Sequence, residues 1–140
     1  MTFSRCLSVP APGWSGWGAL ALPAAAAAGR ATLPVLCARG VPAARPEGLG
    51  AAVAGTVPRP VAVAVPLVTA GLAAVAVALA PGLLPGAGPV RVALAVLGGC
   101  LVGVLPAARA ARRIGGVTGD VLGAGVEWGT TAALVLLATR

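Results

Sequence analysis

Between Arg109 and Glu127 the chain runs RAARRIGGVTGDVLGAGVE, which sets three arginines, a glycine pair, a threonine and two carboxylates side by side. Each type suits one part of phosphoryl chemistry. Guanidinium groups hold phosphate oxygens, and the backbone N–H groups of a glycine turn can point at an anion. Carboxylates hold Mg²⁺, which bridges phosphate oxygens and neutralises developing charge. Arg109, Arg112 and Arg113 fall at i, i+3 and i+4, one face of a helix end. Thr118 is placed to cap a following helix, with Asp120 in its first turn, where the macrodipole favours an anion. Glu127 comes seven residues later, about 20° from the same face and roughly 10 Å along the axis, and Thr131 continues the stripe. The expected roles are catalytic for Asp120 and Glu127, with Asp120 also a ligand to Mg²⁺. Arg109, Arg112, Arg113, Gly115, Gly116 and Thr118 are the expected phosphate-binding residues. The competing structural reading is that arginines after a span signal topology, glycines end helices, and an acid in a span pairs with an arginine such as Arg30.

The elements that must position these groups are set by composition. Of 140 residues, 59% are hydrophobic and 9% charged, with a mean hydropathy of +0.99. Soluble domains carry about 25% charged residues. The net charge of +7 comes from ten basic residues, all arginine, against Glu47, Asp120 and Glu127. A nucleic-acid surface is excluded, because it needs a clustered basic face with aromatics for stacking. Here the arginines stand between apolar runs, and there are three Trp and one Phe. Cys6, Cys37 and Cys100 lie far apart with no Cys-x-x-Cys spacing and no histidine, so neither a disulfide framework nor a zinc site is credible. They read as buried thiols.

The apolar runs predict an all-α, polytopic membrane bundle of about four transmembrane helices. Val61 to Ala80 is an uncharged run of spanning length, with Pro66 placed in its first turns. The segment PGLLPGAGP, Pro81 to Pro89, is a turn. Val92 to Ala108 and Val121 to Ala138 give two more spans, the second carrying Glu127. A weaker one, Trp17 to Cys37, holds Pro23, Pro34 and Arg30, with Arg30 expected to face the bundle interior. Its rival reading is a signal peptide, with Arg5 as the n-region and an Ala-x-Ala site near Ala28. Arginines in successive loops and the tail number three, one, three and one, as the positive-inside rule expects when loops one and three are cytoplasmic. Gly119 and Gly123, and Gly125 and Gly129, have the spacing that lets a neighbouring helix approach closely. In loop one, RPEGLGAAVAGTV from Arg45 to Val57 is either a short interfacial helix with Leu49, Val53 and Val57 on one face, or an apolar linker.

The run from Arg112, R-R-x-G-G-x-T-G-D-x-L-G-A with Glu127 just beyond, resembles the C-terminal signature of adenosylcobinamide-GDP ribazoletransferase, the cobalamin 5′-phosphate synthase family. RPEGLGAAVAGTV is similar to that family's segment between two spans. Arg30 with its apolar helix resembles the span before it, and Trp17–Gly18 resembles an aromatic-glycine pair. The resemblance covers residues 17–140 and leaves 1–16 as an unmatched segment, expected to be disordered. It implies a multi-span transferase of a bacterial plasma membrane that needs Mg²⁺. Such an enzyme joins α-ribazole or its 5′-phosphate to adenosylcobinamide-GDP and releases GMP. Oligomers, or contacts with other proteins of cobalamin assembly, are further implied partners. One departure matters: the family's acidic motif, D-G-L-A-D-T-A-D-G, is missing from these 140 residues. The chain is therefore expected to look like the C-terminal half of the transferase and to be inactive alone. The alternative is a small non-enzymatic membrane protein, a transporter or assembly subunit.

Overall fold

A computed structural model describes residues 17–84 and 86–139, so the expectation for residues 1–16 lies outside it. The described chain forms six α-helices and no β-strand: α1 (Trp17–Arg30), α2 (Thr32–Leu36), α3 (Leu49–Val53), α4 (Arg59–Leu79), α5 (Pro89–Ile114) and α6 (Gly119–Ala138). By length and composition α4, α5 and α6 can cross a membrane, and Leu20–Leu36 is a shorter apolar helical stretch running through α1 and α2. The all-α bundle expected from hydropathy is what forms.

Local chemistry fixes the boundaries. α4 and α5 each begin with proline in the first two positions, where no N–H is missed. The Thr118 side chain accepts a hydrogen bond from the Val121 N–H at 3.3 Å and caps α6; such a cap contributes about 1 kcal/mol. Pro34 has no N–H to give the Arg30 carbonyl, and there the first apolar stretch breaks into α1 and α2. The buried Thr32 hydroxyl donates to the Gly29 carbonyl at 2.6 Å across that break.

Three boundaries differ from the sequence reading. α5 runs 26 residues, to Ile114, about 39 Å at 1.5 Å per residue, against a hydrocarbon core of about 30 Å. Its arginines therefore ride on a helical extension rather than in a loop. α4 starts at Arg59, so Pro66 lies in the helix interior and leaves the Ala62 carbonyl without its helical donor. Loop one forms only five helical residues, ending at Val53. Gly55 turns with φ +68°, and Val57 leaves the helix to form a parallel bridge with Ala38. Leu49, Val53 and Val57 therefore do not share one helical face.

Small residues hold the bundle together. Gly99 and Gly103 of α5 lie against Gly129, Ala133 and the Gly125 carbonyl of α6, and Gly29 of α1 lies against Val126 and Thr130. This is how membrane helices gain contact where lipid is as apolar as leucine. Of the two Gly-x-x-x-Gly pairs, Gly125–Gly129 packs inward against α5 and α1. Gly119 touches only Leu49 of α3, and Gly123 has no atom of another element within 4 Å of where a Cβ would stand. Val63, Leu67, Leu72, Val75 and Leu79 form the exposed apolar side of α4.

Candidate functional site

At the end of the bundle where α5 finishes and α6 begins, loop one folds over the glycine turn. Gly115 adopts φ +91° and its N–H ends on the Ala111 carbonyl. The Gly116 N–H also donates to Ala111 O, at 2.8 Å. This closes α5 in the manner of a Schellman cap. The amides of Gly115 and Gly116 are thus spent on the helix end and do not point at an anion, which corrects the role expected of them. Gly116 serves packing instead: a Cβ there would fall onto the backbone of Ala43 and Ala44. Val117 then pairs with loop one through Val117 N–H to Pro42 O at 2.9 Å and Ala44 N–H to Val117 O at 3.1 Å.

That pairing divides the region into two cavities sharing Val117. One, of about 470 Å³, has Arg112, Gly115 and Gly116 at its rim and an apolar floor that includes Val35, Leu36 and Val104. The other, of about 150 Å³, is lined by Arg45, Glu47, Thr118, Gly119 and Asp120. Asp120 is exposed and sits in the first turn of α6, where N–H groups lack helical acceptors. Arg109, Arg112 and Arg113 are exposed on the last turns of α5. The Arg112 Nε donates to the Ala108 carbonyl at 3.4 Å.

The structure brings Thr118 and Asp120 together with Arg45 and Glu47, which the sequence reading had not placed at the site. The signal was present: the run R-P-E in loop one holds one of only three acids in the chain. Glu127 is elsewhere. It lines a separate groove with Val102, Trp128, Thr131 and Leu136, on the outward side of α6. Arg30 is exposed at the end of α1 rather than turned into the bundle.

Mg²⁺ keeps several waters and takes one or two carboxylates plus substrate phosphate oxygens. Glu47 and Asp120 on one small cavity fit that requirement, with Arg45 beside them for the phosphate. Among the described residues no cluster of three or more His, Cys, Asp or Glu occurs, so a Mg²⁺ held there would need phosphate and water to complete its shell. This pair also changes the metal argument, which from sequence rested on Asp120 and Glu127 alone. Cys37 and Cys100 are buried, as expected.

The described helices make this an all-α membrane-type bundle with Arg45, Glu47, Asp120 and the arginines of the last turn of α5 at one end. The chain matches the cobalamin-5-phosphate synthase family model over residues 2–138, and it belongs to that family. The match begins fifteen residues before the resemblance read from the signature motifs. Membership makes it a membrane enzyme of cobalamin synthesis acting at the last step of assembly. No solved structure matches the chain.

Proposed function

We propose that the chain transfers the corrinoid-bound phosphate of adenosylcobinamide-GDP to α-ribazole or α-ribazole 5′-phosphate and releases GMP. The observation that carries this is Arg45, Glu47 and Asp120 on one cavity at the N-terminus of α6, beside the arginine-bearing end of α5. Release of GMP defines the bonds. A ribazole hydroxyl forms a new P–O bond to the phosphorus next to the corrinoid, the bridging P–O bond breaks, and GMP leaves with its own phosphate.

The residues divide this work. Arg45 in the cavity, with Arg109, Arg112 and Arg113 on the last turns of α5, binds the diphosphate and holds it against the α6 N-terminus. Glu47 and Asp120 would hold Mg²⁺, which when bound neutralises charge on the diphosphate oxygens. A carboxylate of the same pair accepts the proton of the attacking hydroxyl. The test uses membranes carrying the chain, from a host without its own ribazoletransferase. The missing acidic motif made inactivity of the chain alone the expectation from sequence; Glu47 on one cavity with Asp120 reverses it. Given adenosylcobinamide-GDP, α-ribazole 5′-phosphate and Mg²⁺, the membranes are expected to form GMP and the joined corrinoid in equal amounts. Binding of both substrates without GMP release overturns the reading of this chain as the transferase. Binding of neither favours the transporter or assembly-subunit alternative.

A further inference from the structure

The outward side of α6 is not built for lipid. Gly123, Ala124, Glu127 and Thr131 are all exposed on it, and Trp128, 61% exposed, borders both grooves along it. Glu127 lies near the middle of a 20-residue span, where an ionisable group needs a partner. Pro106 lies inside α5, so the Val102 carbonyl lacks its helical donor, and Val102 lines the same groove as Glu127. Polar groups at this depth call for protein cover. Gly123, with open space around it, leaves room for a second backbone to come close.

The charge that answers Glu127 is on the same chain. Gly29 packs against Val126 and Thr130, which sets the next residue, Arg30, at the depth of Glu127. Arg30 is exposed as well. We infer that this face of α6 is the interface of a homodimer, in which Arg30 of each copy meets Glu127 of the other. A two-fold axis along the membrane normal preserves depth, so one self-complementary surface makes both pairs at once. A different membrane protein would have to supply its own cation at this depth, whereas a second copy carries one there already.

Crosslinking tests it directly. In a chain with Cys6, Cys37 and Cys100 replaced by serine, Gly123→Cys is expected to oxidise in intact membranes to a species of twice the chain mass. Leu72→Cys, on the exposed side of α4, is expected to remain monomeric. Glu127→Arg and Arg30→Glu should each lower the crosslinked fraction about tenfold, and the double exchange should restore it. Should a single exchange prevent insertion, the Gly123→Cys result and the double exchange decide. Gly123→Cys that stays monomeric, a crosslink to another protein, or a double exchange without recovery overturns the dimer.

Discussion

At the small cavity beside α6, ligand and surface acid differ by a charge, and substitution separates them. Thr118, not Asp120, provides the cap of α6, so Asp120→Asn keeps size and helix while removing the carboxylate. GMP release is expected to fall on the order of 10²-fold or more, because a metal-holding carboxylate contributes several kcal/mol to the transition state. Near-normal turnover at saturating Mg²⁺ would reduce Asp120 to a surface acid. Glu47→Gln is expected to raise the Mg²⁺ concentration needed for half-maximal rate, and an unchanged Mg²⁺ titration would remove Glu47 from the site. Asp120 was legible in the sequence because an acid is rare in such a chain and a cap and glycine turn precede it. Glu47 and Arg45 were not, since their placement depends on loop one pairing with Val117 and on Gly48 at φ +95°. Those are tertiary facts that no local pattern carries. The glycine amides misled for a related reason: a turn's N–H groups serve an anion or a helix end, and the Ala111 carbonyl was nearer.

Among elements, the spans were readable because twenty apolar residues in a row admit few alternatives, and Thr118 and Gly115 mark helix ends by their own chemistry. Where α5 ends was less readable, because hydropathy stops at Arg109 while the backbone hydrogen bonds continue to Ile114. Which glycine pair packs was not readable at all, as both have the same spacing and only the position of α5 distinguishes them. That distinction is measurable. A Cβ on Gly103 would fall onto the Gly125 carbonyl oxygen and 2.8 Å from Thr32 Cγ2. Gly103→Ala is therefore expected to destabilise the bundle by about 1–3 kcal/mol, in the range of other overpacked sites. Gly71, on α4, has open space at its Cβ position, and Gly71→Ala should gain up to about 1 kcal/mol from helix propensity. Thermal unfolding in detergent that ranks the two variants the other way would mean that α5 and α6 are not in backbone contact at Gly103.

Across the whole molecule, charge and packing give the same ordering of ends. The arginine counts put loops one and three on one side, and the structure joins those loops through Gly116, Val117 and Ala43. The second observation owes nothing to charge, so their agreement bears on topology. Loop one and the last turns of α5 carry the arginines that the positive-inside rule expects in the cytoplasm. With that orientation, every residue proposed for phosphate or metal is expected to face the compartment that supplies nucleotides and Mg²⁺. The opposite end, around Pro81–Leu83 and the start of α5, carries Arg91 as its only charge among the described residues. Single cysteines read this arrangement in a chain without native cysteines. Ala52 on α3 and Gly88 before α5 are both exposed, and neither holds a positive φ, so each accepts the substitution without backbone strain. Ala52→Cys is expected to resist an impermeant thiol reagent in whole cells and to react once the membrane is opened. Gly88→Cys is expected to react in whole cells. Labelling of both from outside would mean an even number of crossings between them and overturn α4 as a span; the reverse pattern would place the phosphate site outside, away from its nucleotide substrate.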